Sequence, residues 1–179
     1  MEEYLNSIIK RFKYYREIGL KAIEQVPDEK LFWQYNPESN SIAIIVNHLH
    51  GNMLSRWTNF LTEDGEKSWR TRDAEFEQEI KTKDELLKKW NTGWDCVLNA
   101  VENLSVEDLS KKVTIRQEEH SVIDAINRQL AHYAYHIGQL IYVAKLIKDE
   151  KWETLSIARG KSKEFNAGMK KAADNNQDN

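Results

Sequence analysis

The sequence predicts an all-α protein, a four-helix bundle with a short extra helix near its C-terminal end. Apolar residues recur at three- and four-residue steps over four long segments, which is the period of one helix face. Only two prolines occur, Pro27 and Pro37, so most of the 179-residue chain is free of the strongest helix breaker. Long helices joined by shorter loops are typical of bundles.

The first two helices are defined by their apolar patterns and by the residues that stop them. The first spans Glu2 to Gln25 and ends before Pro27. Ser41 can cap the second helix, because a serine side chain accepts a hydrogen bond from the backbone of the first turn. Its apolar spacing continues to Leu61, until Asp64-Gly65 stops it. We therefore expect the second helix to end close to Leu61.

A polar segment separates the second helix from the third. Residues 66–80 carry mixed charges without periodicity, which predicts a loop or a short irregular turn. Thr82 and Glu85 then form the pattern of a capping box, in which each side chain hydrogen-bonds the backbone of the other residue. The third helix starts there and runs to Val101.

The fourth helix is expected to be the longest. Before it, residues 103–120 are polar and indicate one capped turn and an extended piece at Val113-Thr114-Ile115. Ser121 repeats the cap signature, and the helix that it opens runs from Val122 to about Lys148. Ser162 can cap a short C-terminal helix. We expect one bundle domain over residues 1–170 and a polar, disordered tail over residues 171–179.

Composition narrows the class of function. Hydrophobic residues make up 40% and charged residues 31% of the chain, which argues against a disordered protein and against a membrane protein. A net charge of −3 argues against a nucleic-acid partner. The single cysteine, Cys96, cannot form an internal disulfide, and the first residues lack the basic start of a signal peptide. These features predict a cytoplasmic protein.

Two histidines on the fourth helix are candidate metal ligands. His132 and His136 are four positions apart, so their imidazoles share one helix face about one turn apart. Their neighbours are largely apolar, where an imidazole without a partner costs free energy. This spacing lets both rings bind one metal. The pattern alone is equally compatible with a hydrogen-bonded pair in the core.

The candidate for a third ligand is His48, which lies in an apolar stretch of the second helix. The same helix face collects Ser41, Asn52, Ser55 and Asn59, and this stripe is too polar for plain core. Three histidines without a clear fourth protein ligand leave a coordination position for water or substrate, as in catalytic zinc sites. The sequence therefore points to an open metal site.

Other residues that can carry chemistry have simpler interpretations. His50 and His120 are flanked by polar or boundary residues, so we expect surface or capping roles for them. Cys96 has apolar neighbours and is expected to be a buried small hydrophobe instead of a nucleophile. The six tryptophans are expected in the core and at an interface.

A histidine in the second helix joined by His-x-x-x-His in the fourth resembles the DinB-like superfamily, which includes YfiT-type proteins and the bacillithiol and mycothiol transferases. The similarity spans nearly the whole chain, and the segments that carry it most clearly are Asn47–Trp57, His132–Gln139 and Leu155–Asn166. It implies a site for one divalent ion, nickel or zinc foremost, on His48, His132 and His136. It also implies a homodimer and chemistry that uses a low-molecular-weight thiol.

Two classes of function remain open. As an enzyme, the protein would use the open metal position to bind a thiol cosubstrate and present its thiolate to an electrophilic small molecule. Helical wheels predict the pocket lining as Asn52, Ser55, Arg128, Gln129, Tyr135 and Gln139. Arg70, Arg72 and Arg159 are further candidates to meet carboxylates of the thiol. The alternative is a non-catalytic metal-binding sensor or interaction module, because no general-base carboxylate falls beside the histidines in the sequence.

Overall fold

The computed structural model describes the backbone of residues 1–177 and the side chains of residues 1–169. Its helices are α1 (Glu2–Glu24), α2 (Ile42–Trp57), α3 (Lys83–Glu102), α4 (Val122–Lys148) and α5 (Ser162–Gln177). Short 3₁₀ helices occupy Asp28–Lys30, Asp73–Phe76, Glu107–Ser110 and Asp149–Lys151. A two-stranded antiparallel sheet of β1 (Lys112–Ile115) and β2 (Glu118–Ser121) precedes α4. The protein is mostly helical, as predicted, and its description as a four-helix bundle stays a prediction.

The side chains predicted to cap three helices do so. Ser41 Oγ accepts a hydrogen bond from the Ile44 backbone N–H at 3.2 Å. Thr82 and Glu85 form the predicted capping box at the start of α3. Ser121 Oγ accepts from the backbone N–H of the third residue of α4 at 3.1 Å, so α4 begins where the sequence places it. Local hydrogen bonding therefore sets the start of each of these helices.

The second helix is shorter than predicted. α2 ends at Trp57, because Thr58 adopts an extended backbone with φ −66° and ψ 122°. Asn59 follows in the left-handed region with φ 51°, which asparagine tolerates better than most residues. Phe60 and Leu61 still pack against the core, from a turn. The apolar spacing that extended the predicted helix to Leu61 reflects burial in this turn.

α2 is the central helix of the molecule. It packs against α3, α4 and the 3₁₀ helix at Asp73–Phe76, and 13 of its 16 residues are buried. A helix so enclosed also buries its polar side chains, which then need partners inside the protein. In the core beside it, the Phe12 ring of α1 lies 5.9 Å from the ring of Trp57 and 5.8 Å from that of Tyr133 in α4. These aromatic contacts join α1, α2 and α4.

The hairpin before α4 is partly predicted. β1 contains the expected extended residues Val113, Thr114 and Ile115, whereas β2 was not expected. The turn residues Arg116 and Gln117 both have positive φ, 56° and 65°. The Asp64 carboxylate accepts hydrogen bonds from both of their backbone N–H groups, at 2.9 and 2.8 Å. This contact fixes the hairpin against the segment that follows α2.

The expected core residues divide into buried and exposed ones. Trp57, Trp90 and Trp94 are buried, while Trp69 is 56% exposed. Cys96 is half-buried beside Thr58, and burial raises the pKa of its thiol.

Among the residues that the structure describes, no helix has both the length and the apolar character to cross a membrane.

The C-terminal helix reaches into the predicted tail. α5 continues to Gln177, so it includes most of the segment 171–179. Residues 178 and 179 lie outside the described residues. The division of the chain at residue 170 stays a prediction.

Candidate metal centre

Three histidines from two helices converge on one point. His48 comes from α2, whereas His132 and His136 come from successive turns of α4. One ring nitrogen of each lies within 4.8 Å of the others, and His48 Nε2 is 3.2 Å from His132 Nε2. Two nitrogen ligands of a tetrahedral zinc, each about 2.0–2.1 Å from the metal, lie about 3.3 Å apart. The spacing of this pair therefore fits one shared ion.

All three rings are at least half-buried, and this burial disfavours the protonated forms of His132 and His136. His48 is 4% and His136 is 7% exposed, and His132 is half-buried. Burial, followed by the neighbouring His136 and His48, lowers the pKa of His132 to about 3. Burial, followed by His48, lowers the pKa of His136 to about 4. At neutral pH these two rings are neutral, which is the form that binds metal.

Two of the rings use their second nitrogen to contact a side-chain acceptor, which is buried for His48 and exposed for His136. His48 Nδ1 lies 2.9 Å from Glu75 Oε2, and His136 Nδ1 lies 2.8 Å from Gln139 Oε1. If each Nδ1 donates its proton there, each Nε2 keeps a lone pair for a metal, which is the usual arrangement of metal-binding histidines. Without a metal, a hydrogen bond from His132 Nε2 to His48 Nε2 would give a partner to those two nitrogens only. A single metal ion, in contrast, could bind one nitrogen of each of the three rings.

The carboxylate beside His48 was missed by the sequence analysis. Glu75 lies in the 3₁₀ helix Asp73–Phe76, within the segment predicted as a loop. The sequence analysis found no general-base carboxylate beside the histidines, and it did not predict that the Glu75 carboxylate would contact His48. The sequence gives no sign of this contact, because Glu75 is 27 residues from His48 and lies in a stretch without periodicity.

Three features fix Glu75 in place. Arg70 Nε donates to its Oε1 at 2.7 Å, and Arg70 Nη2 donates to its Oε2 at 2.9 Å. Asn47 Nδ2 donates to its backbone oxygen at 3.1 Å. Gly51 leaves room on α2, because a Cβ there would overlap the carboxylate. Burial alone would raise the pKa of Glu75, but hydrogen bonds from Arg70 and His48 outweigh it and lower the pKa. The carboxylate is thus ionised and orients the His48 ring.

A cavity of about 480 Å³ opens beside the three histidines. Four of the six residues predicted to line a pocket do line it, namely Asn52, Arg128, Gln129 and Tyr135. The Asn52 amide oxygen accepts from the Tyr133 hydroxyl at 3.2 Å, and the same hydroxyl accepts from Trp57 Nε1 at 2.8 Å. Asn52 is therefore held in position by the aromatic core.

The other two predicted pocket residues lie elsewhere. Ser55 is fully buried and donates to the Gly65 carbonyl at 2.7 Å, since the segment after α2 covers that part of the helix face. Gln139 lines a separate cavity, and its connection with the three-histidine site is its hydrogen-bond contact with His136. Of the arginines expected to meet a thiol's carboxylates, Arg70 and Arg72 line the cavity. Arg159 is exposed in the connection between α4 and α5.

The remaining two histidines are separate from this centre, and both are partly buried where surface or capping roles were expected. His50 is half-buried on the other side of Glu75, where burial and then Lys89 lower its pKa to about 4. His120 Nδ1 lies 2.7 Å from Asp124 Oδ2 at the start of α4. Among the side chains described, His48, His132 and His136 form the group able to share one metal ion.

These observations define a class, a mostly helical protein with a three-histidine candidate metal centre between two of its helices. The model of a protein family described as "Protein of unknown function (DUF1572)" matches residues 1–161. The chain belongs to this family, which is a DinB-like family of helical proteins. No curated protein matches the chain.

Proposed function

We propose that the protein is a metal-dependent enzyme that activates a low-molecular-weight thiol for transfer to an electrophilic small molecule. The observation that carries this proposal is the convergence of three imidazoles at the edge of a cavity of about 480 Å³. Structural zinc sites are closed by four protein ligands, whereas catalytic sites keep a position for water or substrate. A site with three protein ligands beside a cavity supports the catalytic class.

In this proposal His48, His132 and His136 hold one divalent ion, zinc or nickel, the two ions that the family resemblance implies foremost. A bound divalent ion would lower the pKa of a thiol coordinated to it, so that the thiolate forms near neutral pH. Glu75 and Gln139 accept the Nδ1 protons of His48 and His136, which orients the two rings. The metal geometry therefore depends on residues that do not bind the ion.

Glu75 serves as a positioning residue in this scheme instead of a base. Both of its oxygens already accept hydrogen bonds from Arg70, and one also faces His48. Its lowered pKa makes it a poor proton acceptor. The thiol proton therefore leaves through the open side of the cavity to water.

Other side chains of the cavity are suited to hold the second substrate. Gln129 is 4% exposed, and its Oε1 has no hydrogen-bond partner among the described residues. Tyr135 is 53% exposed, and its ring lies 4.3 Å from that of His136. In the transfer, the thiolate sulfur forms a bond to the electrophilic carbon, and the leaving group departs with the electron pair of the broken bond. Gln129 and Tyr135 can hold the electrophile by its polar groups.

A screen of thiols tests this proposal. Metal-loaded protein is incubated with bacillithiol, glutathione or coenzyme A and with chlorinated or epoxide electrophiles, and His132→Ala serves as the blank. Arg11→Gln, which alters an exposed side chain on α1 outside the cavity, is the control. We expect thiol-dependent turnover that is lost in His132→Ala and kept in Arg11→Gln. Absence of turnover with every thiol, despite bound metal, would favour the non-catalytic metal-binding module.

A further inference from the structure

The cavity beside the histidines is lined by an unusual concentration of positive charge. Five arginines line it, Arg56, Arg70, Arg72, Arg116 and Arg128, although the whole chain has a net charge of −3. Among the described residues, the carboxylates within 4.0 Å of these arginines belong to Glu66, Glu75 and Asp73, and none of the three lines the cavity. Five positive guanidinium charges against three negative carboxylates leave an excess of two positive charges. A divalent ion on the histidines would increase this excess.

The two inner arginines are buried with part of their hydrogen-bonding capacity unused. The Arg70 side chain is 2% exposed, and its Nη1 lies 3.8 Å from Glu66 Oε2 but has no hydrogen-bond partner among the described residues. The Arg56 side chain is 6% exposed, and its Nε lacks a partner in the same part of the chain. Burial and then the nearby charge of Arg70 lower the pKa of Arg56. Buried donors without acceptors cost free energy, and a bound anion would supply both acceptors and compensating charge.

The three outer arginines are held at the mouth of the cavity with free donors. The Arg72 guanidinium lies 5.3 Å from the centre of the Phe76 ring, a cation–π contact that occupies its face and leaves its N–H groups available. Arg128 Nη1 lies 3.3 Å from His120 Nε2, and this is the one hydrogen-bond contact of the Arg128 side chain among the described residues. Arg116 contacts Glu66 through Nε at 3.0 Å. Guanidinium groups match the geometry of carboxylate and phosphate oxygens.

The arginines and the histidines are close enough for one small molecule to contact both. Arg128 precedes His132 by four residues on α4, so the two side chains share a face. Positions four residues apart are separated by about 6 Å along the axis of an α-helix. A short molecule therefore reaches the histidines with one end and Arg128 with the other.

We propose that this cavity selects small molecules that carry two negative charges on carboxylate or phosphate groups, with Arg72 and Arg128 as the anchoring residues. The inference names the substrate class of the same site and in that sense rests on the proposed function. The thiol or its electrophilic partner would bear these acid groups.

Anion binding to metal-free protein tests this inference without any contribution from coordination to a metal. The full chain, freed of metal with a chelator, is titrated in a calorimeter with succinate, with inorganic phosphate and with the neutral succinamide. The variants are Arg72→Gln and Arg128→Gln, which replace the guanidinium of an exposed side chain with a shorter, neutral amide. The matched control is Arg11→Gln, an exposed arginine on α1 away from the cavity. Thermal unfolding verifies that each variant folds.

We expect succinate or phosphate to bind and succinamide not to bind. Each cavity variant should weaken anion binding about tenfold, as expected for loss of one hydrogen bond to a charged group, while Arg11→Gln should not change it. The anion that binds more tightly distinguishes a carboxylate from a phosphate substrate. The inference is overturned if neither anion binds, if succinamide binds as tightly as succinate, or if the cavity variants bind like the control.

The result also separates this inference from the proposed function. Arginine-dependent anion binding without thiol turnover would leave the inference standing and remove the proposed enzyme activity. Turnover of uncharged thiols and electrophiles, with no anion binding, would support the enzyme and overturn the inference.

Discussion

Gly51→Ala should weaken metal binding although the atoms nearest to the added Cβ belong to Glu75 and not to the three histidines. An alanine Cβ at this position would lie 2.7 Å from Glu75 Cδ, whereas ordinary contacts begin at 3.4 Å. The carboxylate must therefore retreat by at least about 0.7 Å, the difference between these two distances, since its Oε1 would lie closer to the Cβ than its Cδ does. A retreat of this size lengthens the 2.9 Å contact between His48 Nδ1 and Glu75 Oε2 to the limit of a hydrogen bond.

The expected effect falls on the metal site much more than on the fold. Loss of a contact that orients a metal-binding histidine typically lowers metal affinity about 10- to 100-fold. Alanine gains about 1 kcal/mol over glycine within a helix. Weakened hydrogen bonds to the Glu75 carboxylate oppose this gain by about 1.5–3 kcal/mol. The free energy of unfolding of the metal-free variant should therefore fall by no more than about 2 kcal/mol.

Competition titration with a chromophoric zinc chelator measures the affinity, and urea unfolding of the metal-free protein measures stability. Gly138→Ala is the matched control, because Gly138 is also helical and a Cβ there meets no atom within 4 Å. It should keep the metal affinity and gain stability. Equal metal affinities in Gly51→Ala and in Gly138→Ala would refute the role given to Glu75.

Three further predictions follow from the core, the histidines and the family. Tyr133→Phe removes the partner of Trp57 Nε1 and of Asn52 Oδ1, so urea unfolding should show a loss of about 1–3 kcal/mol; an unchanged midpoint would contradict the contacts. The pKa values of His132 and His136, about 3 and about 4 against 6.5 unfolded, make the folded metal-free protein bind fewer protons than the unfolded chain. Its unfolding temperature should therefore be highest above pH 6.5 and fall as the pH drops toward 4, and a flat profile over that window would be contrary to this reasoning. The homodimer implied by the family resemblance should appear in light scattering at twice 21.1 kDa, and a species of 21.1 kDa would exclude it.

Features that depend on neighbouring residues were predictable from the sequence. Ser121 sets the start of α4 through a hydrogen bond three residues along the chain, and the pattern that predicts this cap is local. His132 and His136 share a face for the same kind of reason, the fixed period of a helix. The placement of His48 opposite them followed from the family resemblance and from its apolar surroundings.

Features that depend on distant partners were not predictable in this way. β2 begins after a turn at Arg116 and Gln117, whose positive φ angles usually call for asparagine or glycine. Here Asp64 supplies the acceptor for both backbone N–H groups from 52 and 53 residues away. Glu75 is another such case, because a carboxylate in an irregular segment shows no sign of which helix it will contact.

The metal content of the purified protein tests the central claim most directly. The full chain is expressed without a metal-affinity tag, and its metals are quantified by mass spectrometry before and after reconstitution with zinc or nickel. We expect about one divalent ion per chain, a strong loss of affinity in His48→Ala, His132→Ala and His136→Ala, and no loss in His120→Ala. A protein that holds no metal as purified and takes up none on reconstitution would contradict the claim that these three histidines form a metal centre.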